Sequence, residues 1–138
     1  MRLLIIIFFY FLISSNVFAS NNYFEEGLAF YKKKELDKAK FKFEQDIVFN
    51  PKNEESYLYL SKIFNVQEKK DLEEKNLNTV LLLNPKNEEA TYNLAQLRLK
   101  ESDFEGSKKL IGKLLIICKD YCQKSNDLKI QIEKSQNK

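Results

Sequence analysis

Asn50-Pro51-Lys52-Asn53-Glu54-Glu55 recurs unchanged as Asn84-Pro85-Lys86-Asn87-Glu88-Glu89, a shift of 34 residues. A hexapeptide repeated within 138 residues sets a period, and a period decides the fold before any local reading does. Each copy has a physical job. The residue before a proline is pushed out of the α region, so Asn50 and Asn84 end a helix. Asn53 and Asn87 can then cap the next one, and the glutamates behind them fall in its first turn, where the helix dipole favours negative charge. The hexapeptide is a helix stop followed directly by a helix start.

Between the copies, Tyr57, Leu60, Ser61 and Phe64 fall at the i, i+3, i+4, i+7 spacing of an amphipathic helix. Leu72, Leu77, Val80 and Leu81 make a second stripe. Joined by the polar Gln67-Glu68-Lys69-Lys70, the two helices form one antiparallel hairpin per period. The preceding period has the same form, with Tyr23, Gly27 and Phe30 on its first helix and Leu36, Ala39, Phe43 and Ile47 on its second. Beyond Pro85 the pattern continues through Leu94 and Ala95, then Phe104, Ile111, Leu114 and Leu115. Ser102 with Glu105 has the spacing of a capping box for the last of these helices. Three glycines and two prolines leave few breakers, which favours long helices over a turn-rich β fold.

A 34-residue helical hairpin closed by Asn-Pro resembles the tetratricopeptide repeat (TPR). Gly27 stands at the close-packing site of the family's first helix, Phe30 and Phe43 at its aromatic sites, Ala39 at the small-residue site of the second helix, and Pro51 at the closing proline. The second unit keeps Tyr57, Leu60 and Pro85 but has Glu73 at the small-residue site and Leu77 at the aromatic one, which implies a looser hairpin. The third keeps Leu94, Ala95 and Phe104, departs at Arg98 and Ser107, and has Lys119 where the proline would be. The resemblance covers residues 21–119. It implies an all-α fold, an α-solenoid of about three antiparallel helix-turn-helix repeats over residues 20–53, 54–87 and 88–119. It also suggests a capping helix over 120–138, where Leu128, Ile130 and Ile132 stand among polar residues; a frayed polar tail is the alternative.

In such arrays the first helices line a concave groove. The face opposite the core stripe carries Phe24, Leu28 and Tyr31, then Leu58, Lys62 and Asn65, then Tyr92, Gln96 and Leu99. Each could simply pack between repeats; as a set, exposed apolar groups along a groove point to a protein partner, laid in as an extended peptide or an amphipathic helix. One subtype of the family clamps a chaperone's C-terminal carboxylate with lysines, asparagines and an arginine. The resemblance puts Phe24 and Leu28 at clamp sites, so carboxylate clamping is not expected.

Met1-Arg2, the apolar run Leu3 to Ile13 and the small, polar Ser14 to Ala19 have the order of a secretory signal peptide, residues 1–19. Val17-Phe18-Ala19 sets cleavage after Ala19 and a mature start at Ser20-Asn21-Asn22. The run is short against the roughly 20 residues needed to span a bilayer. The expectation is an exported bacterial protein, periplasmic or secreted. The alternative is a membrane-anchored structural subunit of an envelope assembly with the N-terminal segment retained.

Composition narrows the chemistry. The chain has no histidine, so Ser-His-Asp and Cys-His catalysis, HExxH chemistry and most zinc sites are excluded. There is no Gly-rich phosphate loop, and Glu25-Glu26, Glu54-Glu55, Glu73-Glu74 and Glu88-Glu89 are sequence neighbours that do not face one another on a helix. The expectation is therefore no enzyme, no metal and no cofactor. Lysines and arginines number 23 against 20 acidic residues, and without Arg2 the balance is 22 to 20, which leaves no nucleic-acid footprint. Lys32-Lys33-Lys34 and Lys69-Lys70 fall in inter-helix turns with acidic neighbours. A homo-oligomer is left open. Cys118 and Cys122 are the only cysteines; in an oxidising compartment they could form a disulfide fixing the capping helix, or stand as two thiols.

Overall fold

The computed structural model describes residues 22–136. The expected signal peptide, residues 1–19, and its expected cleavage after Ala19 lie outside the described residues. Among the described residues seven helices follow one another: α1 Tyr23–Lys32, α2 Leu36–Phe49, α3 Glu54–Val66, α4 Lys70–Leu83, α5 Glu88–Lys100, α6 Phe104–Ile117 and α7 Cys122–Gln136. They pack as α1 on α2, α3 on α4 and α5 on α6, each hairpin stacking on the next, with α7 against α6 and α5. The fold is an α-solenoid of three hairpins and a capping helix.

The repeated hexapeptide does the work its residues imply. Asn53 Oδ1 accepts from the Glu55 N–H at 3.2 Å and Asn87 Oδ1 from the Ala90 N–H at 2.9 Å, so each caps the helix it precedes. The buried Asp46 carboxylate ties the stop to the start, accepting from Asn50 Nδ2 at 2.9 Å, Asn53 Nδ2 at 2.7 Å and Ser56 Oγ at 2.5 Å. The next two turns are each held by a glutamate from the same place in the period. Glu54 accepts from Asn84 Nδ2 and Asn87 Nδ2 at 2.8 and 3.2 Å. Glu88 accepts from the backbone N–H groups of Lys119, Asp120 and Tyr121 at 2.8, 3.0 and 3.0 Å.

Within each hairpin the chain reverses through a residue in the left-handed region, and these too are 34 apart: Lys34 at φ 62°, Glu68 at φ 57° and Ser102 at φ 61°. Each turn carries the paired bonds of a Schellman end, as in Glu35 N–H to Phe30 O and Lys34 N–H to Tyr31 O, 3.0 and 2.9 Å. This corrects the expected capping box. Ser102 is consumed by the left-handed turn, and Asp103 caps α6 instead, accepting from the Gly106 N–H at 2.9 Å.

Three buried apolar clusters fill the stack. Ala39, Phe43, Leu60, Ile63 and Phe64 pack the first hairpin against α3. Leu58, Leu77, Val80, Ala90, Leu94 and Leu97 join α3, α4 and α5, and Ala95, Ile111, Leu114, Leu128 and Ile132 close α5 and α6 under α7. Between α1 and α2 the chain packs closely at Gly27, where a Cβ would stand 2.6 Å from the Phe43 ring. Leu72, counted in an apolar stripe, is 40% exposed, because it occupies the position held by the solvent-facing Lys38 in the preceding hairpin.

Candidate functional site

The first helices α1, α3 and α5 border a cleft of about 390 Å³, lined by Tyr31, Ser61, Lys62, Asn65, Val66, Glu73, Glu89, Asn93 and Gln96. Period explains its composition. Tyr31 and Asn65 occupy one repeat position, Lys62 and Gln96 another, so successive hairpins present equivalent side chains along one strip.

Four of the nine residues expected in the groove line this cleft: Tyr31, Lys62, Asn65 and Gln96. The other five do not. Leu58 is a correction: it is 7% exposed and belongs to the cluster between hairpins, because α4 and α5 close over that face of α3. Phe24 and Leu28 are half-buried against the first cluster, and Tyr92 and Leu99 against the last. Phe24 meets the Tyr59 ring edge-on at 6.0 Å and Tyr92 meets Tyr121 at 5.4 Å, so these rings are largely spent on packing.

The cleft is consequently more polar than the sequence reading implies. Lys62 bridges α3 to α5 through Glu89 at 2.8 Å, with its ammonium 4.5 Å from the Tyr59 ring centroid. Tyr31 packs edge-on to that ring at 5.1 Å. Asn65 Nδ2 donates to Glu73 Oε1 at 2.7 Å, and Gln96 Nε2 donates to the Tyr92 hydroxyl at 3.1 Å. Glu73 is only 4% exposed, and burial pushes its carboxyl above the ordinary 4.5, with the Asn65 bond pulling the other way. At the end of the strip, burial and the neighbouring Glu89 carboxylate push the Tyr121 phenol up to about 12.

Glu73, Glu89, Asn93, Ser61 and Val66 are the lining residues missing from the expected set. Glu73 had one signal, its departure from the small-residue site. Glu89 was assigned to a helix start, and that role concealed its reach toward Lys62. The arrangement offers amide donors and acceptors from Asn65, Asn93 and Gln96 beside an aromatic wall and a pre-paired Lys62. Such groups suit the free main-chain groups of an extended segment.

The cysteines lie beyond this strip. Cys118 ends α6, Cys122 begins α7, and the two are joined by a disulfide across a Cα separation of 5.3 Å, within the ordinary range for such bonds. Three backbone N–H groups of the closed loop are held by Glu88. Burial alone would raise that carboxyl, but the bonds from Tyr121, Lys119 and Asp120 together outweigh it and hold it below 4.5.

No family model matches the sequence, and no curated protein matches it. Solved structures do. The chain is similar to the first TPR domain of Spaghetti (RPAP3), solved bound to the HSP90 peptide SRMEEVD, with a TM-score of 0.76, 16% identity, and 84% of this chain and 91% of that one covered. The Arabidopsis OM64 TPR domain gives a TM-score of 0.75 at 20% identity, covering 84% and 95%. The Yersinia enterocolitica type III secretion translocator chaperone SycD gives 0.79 at 11% identity, covering 92% and 94%. The chain therefore has the fold of tetratricopeptide-repeat domains.

Proposed function

We propose that this chain is a non-catalytic adaptor of the bacterial cell envelope, holding a segment of a partner protein in the cleft between α1, α3 and α5. The observation that carries this reading is the cleft itself, which runs across three successive hairpins and is lined by amide, aromatic and charged groups at repeat-equivalent positions. Support comes from neighbours solved with bound partners, the Spaghetti domain with its HSP90 peptide and the TPR2B domain of yeast Sti1 in its pHsp70 complex. The residues gripping a partner here would be Tyr31, Asn65, Asn93 and Gln96, with Lys62 and Glu89 fixing the spacing of α3 and α5. The signal-like layout of residues 1–19 supports an adaptor that works outside the cytoplasm, in the periplasm or beyond.

The experiment is photocrosslinking in the native cell from a crosslinker at Asn93, compared with Tyr31→Ala, Asn65→Ala and Gln96→Ala together. All three are half-buried surface positions, so folding is checked by circular dichroism. A discrete envelope protein captured by the parent and lost in the triple variant supports the reading. Capture that survives the substitutions refutes the cleft. N-terminal sequencing of the same material is expected to begin Ser20-Asn21-Asn22; an intact Met1 in the membrane fraction would replace the exported adaptor with an anchored subunit.

A further inference from the structure

The second helices carry an apolar feature that neither the core nor the cleft uses. Val48, Leu82 and Ile116 are 34 residues apart and are 74%, 82% and 84% exposed. Their neighbours Phe49, Leu83 and Ile117 are 57%, 36% and 39% exposed, Phe49 with one ring face stacked on Tyr23 at 5.4 Å. Each pair forms the last turn of α2, α4 or α6, so stacking the hairpins aligns the pairs as three rungs along one edge of the solenoid. The apolarity belongs to that turn and not to the whole outer face of these helices. One turn earlier the equivalent exposed positions are Glu44, Asn78 and Gly112, and seven residues earlier they are Phe41, Lys75 and Lys109.

An isolated exposed leucine needs no explanation, but a ladder does. At about 180 Å² for a fully exposed large apolar residue, the six side chains present roughly 700 Å². Summed over the three rungs, that is close to the ~800 Å² each partner contributes to a standard interface. The turns beside the outer rungs carry both signs, with Lys52 near Glu55 and Lys119 beside Asp120, all exposed, while the turn beside the middle rung exposes Lys86. An anionic lipid surface selects one sign of charge; an edge carrying both is complementary to itself.

We infer that the ladder is the contact surface for a second copy of this chain, the two solenoids meeting edge to edge and antiparallel about a twofold axis at the middle rung. Identical rung spacing in both copies lets three rungs meet three, and a twofold contact is closed. Leu82 then faces Leu82 of the second copy, and Val48 faces Ile116. The clefts between α1, α3 and α5 lie on the other helix layer and remain open in both copies. The pairing therefore stands independently of the adaptor reading.

The test uses the protein as its host processes it. Sedimentation velocity is expected to show a monomer–dimer equilibrium between about 10 µM and 1 mM, abolished by Leu82→Lys with Ile116→Lys while the helical circular dichroism is unchanged. Geometry is read by oxidation of single variants, the native cysteines being already bonded. Leu82→Cys is expected to double in mass, Val48→Cys alone to stay monomeric, and Val48→Cys mixed with Ile116→Cys to crosslink. A wild type monomeric throughout that range, or a dimer indifferent to the lysine substitutions, overturns the inference. So does a Val48→Cys chain that couples to itself as readily as Leu82→Cys, or a monomer whose ladder instead floats with phosphatidylglycerol vesicles.

Discussion

Gly27→Ala isolates a tight contact between α1 and α2. A Cβ there would stand 2.6, 2.8 and 3.0 Å from Cε1, Cδ1 and Cζ of Phe43. The ring cannot retreat freely: it is fully buried, stacked on Tyr59 at 5.2 Å and tilted against Phe24 at 5.8 Å. Removing glycine from a helix interior gains about 1 kcal/mol, while overpacking of this kind costs roughly 2–3 kcal/mol, so a net loss of about 1–2 kcal/mol is expected. The other hairpins show what relieves it. Ser61 and Ala95 occupy the Gly27 position, and where the first hairpin has Phe43 they have Leu77 and Ile111. In the Phe43→Leu background, Gly27→Ala should become neutral or stabilising, a coupling of about 2 kcal/mol in a double-mutant cycle read by urea unfolding at 222 nm. If Gly27→Ala costs the same in both backgrounds, the ring is not what demands the glycine, and the complementarity argument fails.

The left-handed residues make a second prediction: Lys34→Gly, Glu68→Gly and Ser102→Gly should each stabilise by about 0.5–1 kcal/mol, the left-handed penalty of an L residue less glycine's extra entropy. Additive gains in urea midpoint would confirm it, and a loss at any site would refute it there. Glu73 supplies a pH test. Its raised carboxyl means that its contribution is full below 4.5 and is lost as pH rises through the folded-state value, so Glu73→Gln should match the parent near pH 4 and exceed it in thermal midpoint at pH 7. Equal midpoints at both pH values would show that burial does not strain this charge. Absorbance titration of Tyr121→Phe against the parent should remove one phenol ionising near pH 12 and leave the rest of the curve unchanged.

The fold was legible because its determinants are local and recur. Two copies of one hexapeptide gave the period, the caps and the stop, and the stripes through Phe43, Leu77 and Ile111 gave the buried face of every second helix. What could not be read was the assignment of single residues at a turn. Ser102 has the chemistry of a cap, yet Lys34 and Glu68, which occupy its place in the other hairpins, have none. Comparing those three positions would have moved the cap to Asp103.

The cleft was harder, because a groove residue and an inter-repeat residue differ only in how far the next hairpin has rotated over them. Phe24, Leu58 and Tyr92 share one repeat position, and the structure spends all three on packing; Lys62 and Gln96 share another and stay in the cleft. Apolar character therefore pointed to the packing strip, since burying a ring between hairpins removes more apolar surface from water than leaving it in a groove. The better guide was a broken rule. Ala39, Glu73 and Ser107 hold the same buried position, and only at Glu73 does a charged group replace a small one, at a desolvation cost that a plain hairpin would not carry. That carboxylate lines the cleft and accepts from Asn65, so the departure from the small-residue pattern marks the cleft in the sequence.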